Sequence, residues 1–297
     1  MAARKRGTAV ADVIVPATRQ HYERLSSLAA DVRADAPDSV HQMRVSARRL
    51  RSLLGSFRHG FPREATDTAR AELRWLGSVL GKARDAEVLA DRFSDLIDAQ
   101  PADLVVGSVH QRLVGTQADL YRAAHAHAVE VLAEARYAAL CALLDEVTSG
   151  QHPVPAEMTL RGGLDKAYRQ LRRAAKTARA LDREGSADVA PALHQVRKRA
   201  KKLRYASEAV VAVEPSAADL ASAAKVLQTR LGDHQDGVLA RSRIIETVAQ
   251  ARDDDEDTFT YGLLYAAEQQ RGIGAAADLP PYVKAIRRAH RELDFTT

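Results

Sequence analysis

The residues with the most evident capacity for chemistry are two histidine-led runs of cations. Val40-His41-Gln42-Met43-Arg44-Val45-Ser46-Ala47-Arg48-Arg49-Leu50-Arg51 reappears 153 positions later as Leu193-His194-Gln195-Val196-Arg197-Lys198-Arg199-Ala200-Lys201-Lys202-Leu203-Arg204. On a helix each residue turns by about 100°. Val40, Met43, Ala47, Leu50, Leu54 and Phe57 then share one apolar stripe, matched by Leu193, Val196, Ala200, Leu203 and Val210. One residue further round, His41, Arg44, Arg48 and Arg51 form a second stripe, as do His194, Arg197, Lys201 and Arg204. This basic stripe lies beside the core face, not opposite it, so it is expected to line a groove between packed helices. Like charges at i,i+4 cost a few tenths of a kcal/mol per pair, and neither motif contains an acid to offset them. Repeating such an arrangement implies a missing anion. Arginine offers a rigid fork that suits phosphate oxygens, and lysine a mobile point charge. The competing reading is a solvated basic face, or arginines paired with acids on neighbouring helices. Duplication beside the core favours the anion site.

His41 and His194 open the two helices, either as capping or packing residues or as ligands of the same anion. Neighbouring cations disfavour imidazolium in the free protein, and a bound polyanion reverses that bias. Binding is therefore expected to take up protons and to tighten between about pH 7.5 and 6.

A second echo follows each motif: Leu76 to Leu80-Gly81, then Arg84-Asp85, returns as Leu227 to Leu231-Gly232, then Gln235-Asp236, at an offset of 151. Asp85 and Asp236 have no sequence partner that suits general-base work. They read better as helix-start acids or as salt-bridge partners that position cations. Lys166, Arg169, Arg173 and Lys176 follow i,i+3,i+7,i+10 spacing and are expected to face His194 and Arg197 across a groove, with a solvated face equally open. Metal chemistry finds little support: His-Glu-x-x-His and Glu-x-x-His are absent. His125 and His127 diverge by about 200° on a helix and cannot share a metal. The Asp253-Asp254-Asp255-Glu256-Asp257 run reads as a solvated helix start. No metal site and no cofactor are expected.

The elements that must hold these residues are helices. Of 297 residues, 46% are hydrophobic, 28% charged and only 5% aromatic, and Ala, Leu, Arg, Glu and Asp dominate. That composition favours an all-α chain. Helical spacing predicts segments near 9–34, 39–59, 64–80, 84–99, 103–134 and 136–148, then 160–184, 188–213, 216–231, 234–251, 257–272 and 280–294, with Pro and Gly between them. The duplication divides one unit, 9–294, into halves at 9–148 and 160–294 joined by a linker at 149–159.

Cys141 is the only cysteine, so no intramolecular disulfide forms; its apolar neighbours place it in the core. No apolar stretch is long enough to span a bilayer and no secretory signal follows the basic N-terminus, so a cytoplasmic location is expected. The net charge of +5 hides local excess: residues 160–205 hold fourteen Lys/Arg against four Asp/Glu, and residues 39–62 hold five Arg and no acid. Concentrated positive charge captures anions.

The paired His-x-x-Arg-x-x-x-(Arg/Lys)-(Arg/Lys)-Leu-Arg helices, each followed by Leu-Gly-x-x-x-Asp, resemble the CHAD family (conserved histidine α-helical domain), over about residues 10–294. The resemblance implies two four-helix-bundle lobes related by a pseudo-twofold around a basic central cavity. It implies binding of inorganic polyphosphate and association with polyphosphate granules. It assigns ligand roles to His41, Arg44, Arg48, Arg49, Arg51, His194, Arg197, Lys198, Lys201, Lys202 and Arg204. Val45 stands where the second copy has Lys198, so the halves need not contribute equally. The Glu-x-Glu-x-Lys motif of the triphosphatase domain fused to some CHAD proteins is absent. The expected function is non-enzymatic polyphosphate binding. Nucleic-acid binding is the alternative, weakened by the scarcity of aromatic platforms, Tyr205 excepted. A metal-dependent phosphohydrolase stands behind both.

Overall fold

The computed structural model describes residues 2–152, 159–272 and 279–295. Every regular element among them is helical: α1 Ala2–Arg33, α2 Ser39–Ser56, α3 Arg63–Asp98, α4 Thr116–Ala133, α5 Ala135–Thr148, α6 Leu160–Arg183, α7 Val189–Glu208, α8 Ala217–Asp253, α9 Phe259–Gly272 and α10 Leu279–Arg291. Short 3-10 turns at 58–60 and 102–104 and a π-turn at 111–115 complete the description. Most of the expected linker, residues 153–158, lies outside the described residues.

Two expected breaks do not exist. The segments 64–80 and 84–99 form one helix, α3, and 216–231 and 234–251 form another, α8. Gly81 and Gly232, read as punctuation, sit buried within them. The apolar stripe runs straight through, from Leu73, Leu76 and Leu80 to Phe93 and Leu96, so tertiary packing overrides the local cost of a helical glycine. Nor is proline confined to loops: Pro16 lies inside α1. Just beyond it the Thr18 hydroxyl donates to the carbonyl oxygens of Ile14 and Val15, the latter at 3.0 Å. The 103–134 segment becomes three pieces, and 188–213 ends as a helix at Glu208.

The helices pack in chain order: α1 on α2, α2 on α3, α6 on α7 and α7 on α8. The halves also touch, through α2 with α6 and α7, and through α3 with α8. One apolar core unites them, with Met43, Leu50 and Leu76 from the first half and Val196, Leu203 and Leu227 from the second. Gly163 of α6 sits so close to Phe57 that a Cβ there would stand 2.3 Å from the ring. A second cluster joins the far ends of α3 and α8 to Val109, Leu113 and α9, through Phe93, Leu96, Ile244, Tyr261 and Leu264. There the fully buried Glu268 of α9 takes two bonds from Arg92 of α3, at 3.1 and 2.6 Å, a bidentate clamp that fixes the two halves' far ends together. The acidic run is more than a solvated helix start. Asp254 and Glu256 accept from Arg112 at 2.6 and 2.7 Å, and Asp257 accepts the Phe259 amide at 2.7 Å at the head of α9.

Candidate anion-binding site

The two motif helices, α2 and α7, lie against each other where the halves meet. Their apolar stripes are buried as the periodicity requires: Val40, Met43, Ala47, Leu50 and Leu54 on one, Leu193, Val196, Ala200 and Leu203 on the other. One residue round, Arg44, Arg48, Arg51, Arg197, Lys201 and Arg204 are half-buried. Arg44, Arg48 and Arg51 line one cavity of about 230 Å³ with Arg74, Gly77 and Ser78 of α3.

Cations from both motifs press on one another. Lys201 is pulled from the ordinary lysine value to about 7, first by burial, then by the charges of Arg48, Arg197 and Arg44, with Asp236 opposing. Two of those three arginines come from the other repeat, more than 150 positions away in the chain. Tyr205, buried at the end of the second motif, gathers a further group. Arg48 Nε donates to its hydroxyl at 3.1 Å. The guanidinium carbons of Arg48, Arg49 and Arg204 stand 5.9, 5.3 and 5.5 Å from its ring centroid, within cation–π range.

Not all motif cations are open to a ligand. Arg44 pairs with Asp85 at 3.1 Å and Arg197 with Asp236 at 3.7 Å, so the two aspartates position cations, as one of their readings required. Each arginine lies over the preceding glycine: a Cβ on Gly81 would stand 3.5 Å from Arg44, and one on Gly232 3.1 Å from Arg197. The expectation of uncompensated charge needs a correction at Arg49 and Arg204. Both converge on Glu208, at 3.1 and 2.6 Å, an acid four residues beyond the second motif. Arg48, Arg51 and Lys201 make no direct ion pair among the described residues, although Asp236 acts on Lys201 from further off. Arg51 is lowered by burial and then by Arg74, Arg48, Arg70 and Arg44.

Lys202 faces elsewhere. It is lowered to about 8 by burial, then by Lys166, Arg199 and Arg70, and its ammonium donates to Gln170 at 3.4 Å. Lys166 thus adjoins the second motif through Lys202, not through His194. Arg169, Arg173 and Lys176 do not face His194 and Arg197 at all; they line a separate groove between α6 and α10. Lys198 is exposed. Sequence reading missed Arg70, Arg74 and Arg84. The available signal was one face of α3, where Arg70, Arg74, Gly77, Gly81 and Arg84 recur at helical spacing.

Both motif histidines are held below the ordinary value. For His41 burial comes first, then Arg84, with Arg48 and Arg44 behind. For His194 burial again leads, the bond to Gln235 opposes it, and Lys198, Arg197 and Lys201 push down. The direction is as expected, but burial outweighs the neighbouring cations. His194 Nδ1 lies 2.7 Å from Gln235 Oε1 and lines a hollow with Pro191, Gln195 and His234. His125 Nε2 is spent on the Val32 carbonyl at 2.7 Å, and His127 lies beside Glu130. Among the described residues, no group of three or more His, Cys, Asp or Glu is placed to hold a metal. No helix among them is long and apolar enough to cross a membrane.

Known proteins bear on this arrangement. The CHAD domain family model matches residues 16–244. Two uncharacterized proteins from two strains of Mycobacterium tuberculosis, MT2285 and Rv2226, are each 39% identical over 284 residues, covering 95% of this chain and 54% of theirs. The chain therefore spans about half the length of the curated relatives it matches. Two solved structures share the fold. The crystal structure of the CHAD domain from the plant Ricinus communis gives a TM-score of 0.67 at 23% identity, over 96% of this chain and 92% of that one. PptA from Streptomyces chartreusis gives 0.68 at 21% identity, over 95% and 99%. With its motif helices matched by the family model over well over half its length, this chain belongs to the CHAD family.

Proposed function

We propose that the chain binds inorganic polyphosphate without catalysis, through the cluster formed where α2 and α7 meet. In this reading the two halves are lobes of one domain, 9–148 and 160–294, related by a pseudo-twofold around a basic central cavity. The ligand set is His41, Arg44, Arg48, Arg51, His194, Arg197, Lys198 and Lys201, with Lys202 contributing from the neighbouring Lys166 side and Arg49 and Arg204 acting mainly through Glu208. Attachment to polyphosphate granules in the cytoplasm follows from the same chemistry. The CHAD family is associated with polyphosphate.

The observation that carries the reading is Lys201. It is half-buried beside Arg44, Arg48 and Arg197, and burial first, then those three charges, lower its ammonium to about 7 against the opposing charge of Asp236. Such a cluster is costly when empty and is relieved by an anion with many oxygens. Asp85 and Asp236, the acids nearest the cluster, are engaged with Arg44 and Arg197, which speaks for positioning and against general-base work.

The test is Arg48→Glu/Lys201→Glu. Each glutamate lands among the remaining arginines, so the variant stays helical and melts no lower than wild type. Polyphosphate affinity falls about a hundredfold or more, roughly 2.7 kcal/mol. Affinity equal to wild type overturns the site. Displacement of long-chain polyphosphate by duplex DNA at equal phosphate concentration moves the ligand to nucleic acid. Phosphate released from polyphosphate in the presence of Mg²⁺ ends the non-enzymatic reading.

A further inference from the structure

Away from the α2–α7 cluster, α6 carries a second row of cations. Arg169, Arg172, Arg173, Lys176, Arg179 and Arg183 recur at three- and four-residue spacing along one face of the helix. They run from Arg169 to Arg183, 15 residues whose ends lie about 21 Å apart at about 1.5 Å per step. Lys284 and Arg287 of α10 face them across a groove of about 720 Å³, roughly three times the cavity at Arg44, Arg48 and Arg51. All eight side chains are exposed. None has an ion-pair partner among the described residues, whereas Arg288, one residue from Arg287, is bonded to Glu292 at 3.0 Å. Among the described residues no acid lines the groove; its apolar part is Ala175, Val283 and Pro280.

We propose that this α6–α10 groove is a second polyphosphate site, separate from the first, so that each molecule grips two phosphate strands and a long chain cross-links several molecules. Only the identity of the ligand rests on the reading of the α2–α7 cluster. The length of the row favours an extended polyanion over a single phosphate. The lining favours one without bases: among the described residues the groove presents no aromatic platform, and the nearby Tyr168 ring is buried and stacked on His290 with centroids 3.9 Å apart. Exposure of these side chains makes this site the more salt-sensitive of the two, since surface charges are screened and half-buried ones less so. Two sites on one body also convert a long chain's second attachment into a local event of high effective concentration.

The test is calorimetric titration of the whole chain with short-chain polyphosphate, with light scattering on adding long-chain polyphosphate. Wild type takes up a second short chain, and long chains assemble it into large particles. Arg173→Glu/Lys284→Glu, both at exposed positions, loses the second chain and the particles but keeps the first chain. Arg48→Glu/Lys201→Glu keeps the groove's chain, which raised salt weakens about tenfold or more. If the groove variant retains both short chains and still forms particles, the second site does not exist. If single-stranded DNA fills the groove at phosphate concentrations where polyphosphate does not, the ligand assignment is wrong. A groove variant that loses all binding while Arg48→Glu/Lys201→Glu loses none upholds the groove and sinks the central site.

Discussion

Repeated sequences invite the assumption of repeated work, yet the first and second motif helices are electrically unlike. Arg51 of α2 and Arg204 of α7 occupy matching positions. Arg51 lies in an open cavity beside Arg74 with no acid, next to Gly77, which has nothing within 4 Å of where a Cβ would be. The position matching Gly77 on α8 is Gln228, and its amide oxygen accepts from Arg204 at 3.3 Å while Glu208 accepts at 2.6 Å. One half leaves its last cation open and the other satisfies it. The histidines differ in the same sense: His41 faces Arg84, whereas His194 bonds to the neutral Gln235. Arg48 is matched by Lys201, so only the second half carries a titratable cation at the centre. The duplicated geometry is the same, but Gly77 and Arg84 on α3 leave the end of α2 more open, whereas Gln228 and Gln235 on α8 engage Arg204 and His194 of α7.

The sharpest way to break this comparison is to remove both arginines separately. Arg51→Ala is expected to lower polyphosphate affinity about tenfold with little change in stability. Arg204→Ala should leave affinity within about twofold and cost about 1–3 kcal/mol, because it opens a part-buried network on Glu208 and Gln228. Fluorescence binding together with urea denaturation of both variants decides it. Equal effects on affinity would erase the distinction.

A smaller effect should come from copying the second half into the first. Gly77→Gln fills the open side of the cavity and offers Arg51 an amide, so affinity should drop severalfold while stability rises by about 0.5–1 kcal/mol from replacing a helical glycine. A variant that binds as tightly as wild type would mean that the cavity beside Gly77 takes no part in binding.

The Arg48/Lys201 difference sharpens the comparison through pH. Lys201 is lowered from 10.5 to about 7, facing Arg44, Arg48, Arg197 and Asp236. The unfolded chain therefore holds a proton there that the folded chain lacks between these values, and stability gains from Lys201 as pH rises through that window. Binding runs the other way, because a polyanion favours the ammonium: affinity should tighten severalfold from about pH 8 to 6, with net proton uptake. His41 and His194, both lowered, add to it at the acid end. Lys201→Arg should remove most of the slope above pH 7, which calorimetry in buffers of different ionisation enthalpy can read. An undiminished slope would put the proton on another group.

The smallest expected difference lies at the two helical glycines. Gly81→Ala meets Arg44 at ordinary contact distance and should stabilise by about 0.5–1 kcal/mol. Gly232→Ala meets Arg197 at 3.1 Å and forces it to move, so the gain should vanish or reverse. Thermal melts of the two variants that coincide would show that the arginines yield equally.

Much of this molecule was legible before any coordinates. Helical class followed from composition and from apolar residues at helical spacing, and the exact return of His-Gln-x-Arg after 153 positions exposed the duplication. The reading failed where a local rule met a distant neighbour. Gly81 and Gly232 look like breaks because glycine weakens a helix, but here they clear room for arginines from the adjacent helix. Arg169, Arg173 and Lys176 share a face as their spacing requires, but that face meets α10 and not the second motif, because spacing fixes which residues share a face and not which element that face meets.

Periodicity is a property of neighbours along the chain, so order along the chain was enough to place two cation rows beside two apolar faces. Charge behaves differently. Whether a guanidinium stays open, rests on Glu208 or lowers Lys201 depends on distance and burial between helices far apart in sequence. Only folding set those distances, bringing Arg44 and Arg48 against Arg197 and Lys201 while consigning Arg49 and Arg204 to an ion pair.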